Sequence, residues 1–207
     1  MFKFDNFCVY LSMPGEGEKG ATFAAEIILH LARLAHGDGH ACGLTGAQWS
    51  ALRYFSRANE SSRTLLAFAD FHVTTRGTAS QTVTKLVKKG LLTRNPCERD
   101  ARSSQIILTA EGRAVCANDP FGELAQEIEN LSQGQLVELL KSLQQVMGRV
   151  VEDRQRRGFG MCSTCRHLGL CVEEEEDGAL HVCLLTGLPL QSSEFDRLCM
   201  SYKPDAA

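Results

Sequence analysis

No apolar run in this 207-residue sequence is long enough to cross a bilayer, which takes about 20 consecutive apolar residues. The longest such run, residues 21–35, is interrupted by Glu26, His30 and Arg33. The chain also begins without the basic segment, apolar segment and cleavage site of a secretory signal. These two absences predict a cytoplasmic protein without a membrane partner.

The motifs of the common enzyme classes are missing as well. The sequence has no glycine-rich phosphate loop, no Ser/His/Asp grouping and no pair of acids placed for a pocket. We therefore do not expect an enzyme. An electron carrier, the other class considered, would have no use for the basic segment described next.

A strong positive charge is absent from the chain as a whole, since its formal net charge is −3. The basic residues are instead concentrated in residues 71–113, where eight of them stand against three acids and give a local net charge of +5. A basic segment in an otherwise acidic protein is a candidate phosphate-binding face. This distribution favours a nucleic-acid partner.

The elements predicted in and before this segment follow a recognisable order. Apolar residues at helical spacing predict a helix over residues 17–36 and a second one that starts near Thr45. A short helix over residues 64–71, a three-residue turn, a longer helix ending at Lys89 and a hairpin with a polar tip at residues 94–103 follow. This order is that of a winged helix–turn–helix, whose second helix enters the major groove of DNA.

The longer helix, capped by Thr74 or Thr75, separates apolar from polar residues. Ala79, Val83, Leu86 and Val87 share the face predicted to pack inward. The other faces carry hydroxyls, an amide and cations, which can reach base edges and phosphates. The candidate DNA-contacting residues there are Thr75, Arg76, Thr78, Ser80, Gln81, Thr84, Lys85 and Lys88. At the hairpin tip, Arg99 and Arg102 can enter a narrow minor groove.

Several motifs occur in register from Leu44 to Gly112. They are Leu44-Thr45-x-x-Gln48-Trp49, Thr75-x-Gly77-Thr78-x-Ser80-Gln81, Lys89-Gly90-Leu91-Leu92, Arg99-Asp100-Ala101-Arg102-Ser103 and Leu108-Thr109-x-x-Gly112. Together they resemble the MarR family of bacterial regulators, over residues 17–155 when the flanking helices are included. The resemblance implies a homodimer, built from the N- and C-terminal helices, that binds a near-palindromic operator on double-stranded DNA. It also implies that Asp100 holds the wing and that Arg102 contacts DNA.

After a break at Pro120, residues 121–157 are predicted to be helical, with an apolar stripe from Leu136 to Val151. The stripe fits either packing within one chain or a dimer seam. The resemblance favours the seam, and a two-fold dimer matches a palindromic site.

Nine cysteines are many for a protein of a reducing compartment, where disulfides are rare. Five of them lie between Cys162 and Cys199, after a predicted hinge at residues 158–160. The C-x-x-C pair of Cys162 and Cys165 can bind one metal from a tight turn. Further single cysteines complete a four-thiolate set for zinc or for an iron–sulfur cluster.

The tail carries a C-x-x-C pair followed by Arg166-His167, a lone cysteine before a leucine-rich turn with glycine, and a last cysteine shortly before Ser201-Tyr202. This layout is similar to the cluster-binding part of the high-potential iron–sulfur proteins. The similarity implies a 4Fe-4S cluster on Cys162, Cys165, Cys183 and Cys199. Cys171 is an alternative ligand, Zn²⁺ is the alternative cofactor, and His167 and His181 are interpreted as surface histidines rather than ligands.

These patterns predict a mainly α fold of the α+β class with four parts. They are an N-terminal dimerisation helix region (1–40), a winged helix–turn–helix domain (41–113), dimerisation helices (114–157) and a small cysteine-rich, metal-bound module (158–207). The predicted function is a sequence-specific transcriptional regulator, a repressor, whose DNA affinity is set by a cluster that senses redox state or iron. The alternative is a regulator with a structural zinc tail that responds to a small aromatic ligand.

Overall fold

The computed structural model describes residues 18–35, 41–97, 100–172 and 179–204. The helices are α1 (Glu18–Leu34), α2 (Gly46–Arg57), α3 (Leu65–Phe71), α4 (Arg76–Lys88), α5 (Ala110–Cys116), α6 (Phe121–Glu129) and α7 (Gln133–Asp153). The strands are β1 (Leu92–Cys97), β2 (Asp100–Leu108), β3 (Gly160–Met161), β4 (Leu168–Val172), β5 (Ala179–Cys183), β6 (Leu188–Pro189) and β7 (Leu198–Cys199). No helix within the described ranges has both the length and the apolar character needed to span a bilayer.

The core lies between α2, α3, α4 and the two wing strands. Helix α2 begins with a capping box, in which the Thr45 hydroxyl accepts from the Gln48 backbone at 3.4 Å and the Gln48 side chain accepts from the Thr45 backbone at 3.0 Å. Trp49, Leu52 and Phe55, which share the face predicted from the sequence, are all buried. The capping box and the buried apolar face thus both favour a helix at this position.

The helix–turn–helix is formed by α3 and α4. Thr64 and Thr75 cap the two helices, each accepting a hydrogen bond from the backbone N–H three residues on, at 3.2 and 3.1 Å. Gly90 follows α4 with a φ of 73°, the left-handed conformation that commonly ends a helix. The apolar face of α4 is turned inward as predicted, with Ala79, Val83 and Leu86 buried and Val87 half-buried.

The wing is longer than the sequence suggested. Strands β1 and β2 pair antiparallel from Leu92 opposite Leu108 to Cys97 opposite Asp100, with an irregularity between Pro96 and Cys97. Most of residues 94–103, predicted as a polar tip, therefore belong to the strands. Polar residues can continue the ladder because a protruding hairpin needs no apolar face to cover it.

The region predicted to be helical over residues 121–157 contains two helices, separated by a short break whose position was not predicted. Helix α6 ends at Glu129, and Ser132 starts α7 with a second capping box. The Ser132 hydroxyl accepts from the Gln135 backbone at 3.4 Å, and the Gln135 side chain accepts from the Ser132 backbone at 3.0 Å. These local bonds satisfy the free N–H groups of a new helix start and so favour the break.

One arginine joins α2 to the helices on either side of it. The Arg53 guanidinium donates to both carboxylate oxygens of Asp119, at 2.7 and 2.6 Å, and lies 4.4 Å from the centre of the Phe121 ring. It also donates to the carbonyl of Ala35 at 3.2 Å, just after α1. A bidentate pair of this kind fixes direction as well as distance, so it orients the junction of α5 and α6 on the core.

Apolar faces remain exposed on the helices outside the core. No residue of α6 or α7 is buried. The exposed large apolar side chains of α1 and α7 are Phe23, Ile27, Ile28, Leu29, Leu31, Leu34, Val137, Leu140, Leu143, Val146 and Val150. Single exposed leucines are ordinary, but each of these two helices carries a row of exposed apolar side chains, which is typical of a helix that packs against a partner.

The C-terminal strands form two small sheets, one pairing β3 with β7 and one with the order β4-β5-β6. The predicted hinge at residues 158–160 is instead packed. The Phe159 ring lies 4.8 Å from the Phe71 ring of α3, and Gly160 pairs with Cys199 against the Tyr202 ring, which leaves no room for a Cβ. The tail therefore continues the core rather than swinging free of it.

Candidate DNA-binding face and cysteine site

Helix α4 presents most of its predicted contact residues to solvent. Thr75, Arg76, Thr78, Gln81, Thr84, Lys85 and Lys88 are exposed, and Ser80 is half-buried. Because Ala79, Val83 and Leu86 anchor the opposite face in the core, the polar face is fixed in orientation. This is the arrangement in which a recognition helix can insert into a groove as a rigid body.

Three of the hydroxyls on this face, those of Thr75, Thr78 and Thr84, already have structural partners. Thr75 caps α4, and its Oγ1 lies 2.9 Å from Oγ1 of Thr78. Thr84 accepts a hydrogen bond from the guanidinium of Arg94 at 3.2 Å, which joins α4 to β1 of the wing. Arg76, Gln81, Lys85 and Lys88 are therefore the predicted residues on α4 that are best placed to reach DNA.

The predicted tip residues fall at the edge of the described structure. Arg99 lies outside the described residues. Asp100 and Arg102 lie in β2, and their side chains are outside the described part. Their roles in holding the wing and contacting DNA stay predictions.

Sequence analysis missed a group of arginines beside the start of α4. Arg154, Arg156 and Arg157, which follow α7, line one cleft together with Arg76 and Asp70. Arg157 lies 3.8 Å from the Asp70 carboxylate. Among the described residues, no acid forms an ion pair with Arg154 or Arg156. The sequence signal for this positive charge is the run of three arginines within residues 154–157.

The four predicted cysteine ligands meet at one cavity. Cys162, Cys165, Cys183 and Cys199, called here the cysteine site, all line a cavity of about 60 Å³. Two strand pairings bring them together, since Gly160 of β3 pairs with Cys199 of β7 and Leu168 of β4 pairs with Cys183 of β5. Cys171 lies in β4 opposite Leu180, and its side chain is outside the described part.

Within the site, Cys162 and Cys199 are buried, whereas Cys165 and Cys183 are half-buried. The hydrogen bond between the Cys162 and Cys199 sulfurs lowers the pKa of Cys199 to about 6, although burial opposes the shift. The same bond, together with burial, raises the pKa of Cys162. One thiolate in the pair is thus favoured at neutral pH, and the thiolate is the form that binds metals.

The two tail histidines, interpreted from the sequence as surface residues, are half-buried. His181 is half-buried and packs edge-on against the Phe195 ring at 4.7 Å. His167 lines the cavity beside the cysteines, and its buried Nε2 has no hydrogen-bond partner in the described part of the chain. An unpaired buried nitrogen in a thiol-lined cavity is a feature that a bound group could explain.

The four sulfurs surround the cavity rather than converge on a point. Across the described residues, no three His, Cys, Asp or Glu side chains stand close enough together to hold one metal ion. A tetrahedral zinc ion needs each sulfur about 2.3 Å from a single centre. The described arrangement is therefore not a preformed tetrahedral zinc site.

The cysteine site also touches the connection between α2 and α3, residues 58–64. The Asn59 amide donates to the Cys162 sulfur at 3.8 Å, and the backbone N–H of Met200 donates to the Ser62 hydroxyl at 3.0 Å. Met200 itself is buried in the core. Nothing in the local sequence of residues 58–64 predicted these contacts, because they join residues more than a hundred positions apart.

A capped helix pair, a fixed polar recognition face and a two-stranded wing define a winged helix–turn–helix domain of the DNA-binding class. Residues 43–103, less than a third of the chain, match the family model of the MarR family. Members of this family are transcriptional regulators and not enzymes, as expected from the sequence. No curated protein matches the chain at a significant level.

Similar folds occur among solved structures. A MarR-family transcriptional regulator from Silicibacter pomeroyi is 21% identical with a TM-score of 0.54, and the alignment covers 65% of this chain and 92% of that one. A MarR/EmrR family regulator from Acinetobacter sp. ADP1 is 18% identical with a TM-score of 0.52, covering 65% and 96%. The MepR–DNA complex of S. aureus is 20% identical with a TM-score of 0.51, covering 62% and 96%. Identities this low establish the fold alone.

Proposed function

We propose that this MarR-type regulator binds a near-palindromic operator as a homodimer and that a 4Fe-4S cluster on Cys162, Cys165, Cys183 and Cys199 sets its DNA affinity. The observation that carries the proposal is the meeting of these four cysteines at one cavity beside the helix–turn–helix. On this proposal the protein is a repressor that responds to redox state or iron supply.

DNA binding is supported by the exposed face of α4 and by the match of residues 43–103 to a family of regulators. Lys85, Lys88 and Arg76 supply cations for phosphates, and Gln81 supplies an amide that can pair with an adenine edge. The MepR complex, a protein of similar fold, was solved with DNA. Two copies related by a two-fold axis would present two recognition helices to two half-sites.

The choice of cluster over zinc follows from the spacing of the cysteines, one C-x-x-C pair and two single cysteines, which is similar to the cluster-binding part of the high-potential iron–sulfur proteins. Four thiols around a cavity of about 60 Å³ suit a group whose four irons each take one thiolate. Such a group, when bound, supplies one-electron redox chemistry and sensitivity to oxidants. The residues' part is to hold it: Cys162 and Cys199 from the buried side, Cys165 and Cys183 from the half-buried side.

The deciding experiment is to purify the protein without oxygen and to measure its visible absorption together with iron, acid-labile sulfide and zinc per chain. We expect a brown protein with iron and sulfide in equal amounts. A colourless protein with one zinc per chain would replace the sensor by a structural tail. DNA binding is tested separately, by selecting duplexes from a random pool with the same preparation.

A second candidate function rests on a different cavity. An open cleft of about 690 Å³ lies between the end of α1 and α6, lined by apolar residues that include Leu31, Leu34 and Leu124. Its size and lining suit a small aromatic ligand. On this alternative the effector binds there and the tail holds a structural zinc. Calorimetry with simple phenolic acids, at constant metal content, distinguishes the two.

A further inference from the structure

The α2–α3 connection forms one wall of the cavity that the cysteines line. Asn59 and Ser62 are only 4% and 2% exposed, and both are polar. Buried polar groups are kept where they are hydrogen-bonded, so the partners of these two side chains define what the connection does.

The two ends of the Asn59 amide face different parts of the protein. Its Nδ2 donates to the Cys162 sulfur at 3.8 Å. Its Oδ1 accepts from the backbone N–H of Ser62 at 3.0 Å and thereby caps the short 3₁₀ turn at residues 60–62. A single planar group therefore ties the position of a cysteine sulfur to the conformation of the connection.

The connection is also held from the tail and from the core. The Asn59 backbone N–H donates to the carbonyl of Leu198 at 2.9 Å, directly beside Cys199. The Tyr54 hydroxyl donates to the carbonyl of Ser62 at 2.8 Å, and burial raises the pKa of that hydroxyl, so it keeps its proton. Because hydrogen bonds hold the turn on both sides, we expect a displacement of the cysteines to displace the turn as well.

From the turn, the chain leads at once into the DNA-binding elements. The Arg63 carbonyl accepts from the backbone N–H of Ile106 in β2 at 2.8 Å, and Thr64 caps α3. The path from the Cys162 sulfur to the helix–turn–helix and to the wing therefore contains one side chain and a few backbone hydrogen bonds.

We propose that Asn59 is the positioning residue that couples the cysteine site to the helix–turn–helix, by bridging the Cys162 sulfur and the turn before α3. This rests on the proposed function, because it needs a group whose presence fixes that sulfur. With the group bound, the sulfur is a fixed, negatively charged acceptor for the Asn59 amide. Without it, only the protein holds that sulfur, so the Asn59 amide and the turn that it caps are less firmly fixed.

This route differs from the one expected from the sequence, in which the tail acts through a hinge after α7 on the spacing of the dimer. Phe159 is packed on Phe71 at that point. The Asn59 route acts within one subunit and predicts that α3 and the wing respond first.

The test variant is Asn59→Asp. Aspartate keeps an oxygen that can cap the turn, but it has no N–H for the sulfur and adds negative charge beside the thiolates. Asn130→Asp, the same change on the exposed end of α6, is the matched control. The DNA is a duplex selected by the wild-type protein, and each protein is compared with its cluster rebuilt from ferrous iron and sulfide and after removal by a chelator.

We expect roughly 5- to 150-fold between the loaded and empty wild-type proteins in DNA affinity, the usual range of allosteric coupling. In Asn59→Asp this ratio should fall towards one, and the reduction potential of the bound cluster should become more negative. Asn130→Asp should behave as wild type in both. A purely structural role for Asn59 would lower stability without moving the potential.

If the Asn59→Asp protein does not take up the cluster, hydrogen exchange on the wild-type protein tests the coupling instead. Removal of the cluster should speed exchange at residues 59–63 and at Ile106 more than at α7. Unchanged exchange there, or a full affinity ratio in a loaded Asn59→Asp protein, overturns the coupling and leaves the proposed function standing. Anaerobic protein without iron and sulfide overturns the proposed function and this inference with it.

Discussion

Two of the three buried polar side chains found in the described residues, Asn59 and Ser62, lie in the α2–α3 connection. Each bonds to the tail and to its own turn, so the burial is matched by hydrogen bonds on both sides. The third, Gln48, belongs to the capping box of α2. Most of the buried, hydrogen-bonded polar side chains of the described residues therefore lie where the tail contacts the winged-helix domain.

Ser62→Ala should loosen the tail. The Met200 backbone N–H, buried with its residue, would lose its acceptor at 3.0 Å, and a buried unpaired donor costs about 1–3 kcal/mol. Urea unfolding followed by tryptophan fluorescence measures the loss. Ser142→Ala, which removes an exposed hydroxyl bonded within α7, is the control and should change stability by less than about 0.5 kcal/mol. Equal effects of the two changes would contradict the docking role of Ser62.

Cys162→Ser should abolish the bound group and disorder the tail. On the proposed function, a tail with so little apolar content depends on its bound group for folding, as small metal-bound domains do. Iron and sulfide content, with hydrogen exchange over residues 160–204, report the two effects. Cys116→Ser alters a half-buried thiol outside the cavity and should leave both unchanged. A Cys162→Ser protein with full iron and a protected tail would exclude this cysteine as a ligand.

At the scale of elements, the end of α7 adds charge to the DNA-binding face. Arg154 and Arg156 share a cleft with Arg76 at the start of α4. Replacing both by glutamine should weaken binding to all duplexes alike and reduce the salt dependence by about 0.9 per lost phosphate contact. Fluorescence anisotropy at several salt concentrations measures this slope. The control Arg149→Gln, which removes one arginine charge within α7, should leave the slope unaltered. If the double variant also leaves the slope unchanged, the cleft does not contact DNA.

The elements that the sequence predicted well are those with local signals. Thr45, Thr64, Thr75 and Thr109 each cap a helix through a bond that spans three residues, and such bonds are visible in the sequence. The break before α7 has the same kind of signal, the capping box of Ser132 and Gln135.

The features that the sequence did not predict are long-range. The spacing in the sequence identified the four cysteines. It did not predict that they would contact the α2–α3 connection. The bond between Ser62 and Met200 joins residues 138 positions apart, and no pattern within either segment indicates the other. Docking of the tail on the winged helix is a tertiary result that depends on shape and on paired polar groups.

At the scale of the whole molecule, the polar surface of α4 and the wing is distinct from the exposed apolar rows of α1 and α7. The polar surface of α4 and the wing suits DNA, and the cysteine site lies against the same domain. The apolar rows of α1 and α7 lie on helices outside that core. On the proposed function, each subunit would respond to its own cluster, because the site, the α2–α3 connection and the recognition helix belong to one chain, and the proposed dimer would add the two responses on one operator.

The apolar rows predict how the dimer can be broken. Val146 in α7 is 56% exposed within one chain and lies in the row with Leu140, Leu143 and Val150. A charge at a desolvated dimer seam is left unpaired, so Val146→Asp should shift the protein to monomers, whereas Gln145→Asp puts the same charge beside the row and should not. Sedimentation at several concentrations measures the change.

Half-site binding completes this test. The Val146→Asp monomer should lose affinity for the full palindrome but bind a single half-site as well as the wild-type protein does, since α4 is untouched. Binding of the full palindrome with wild-type affinity by a protein that sediments as a monomer would show that the two recognition helices do not act together. A Val146→Asp protein that stays dimeric would instead place the seam elsewhere, on α1 or on the cleft between α1 and α6.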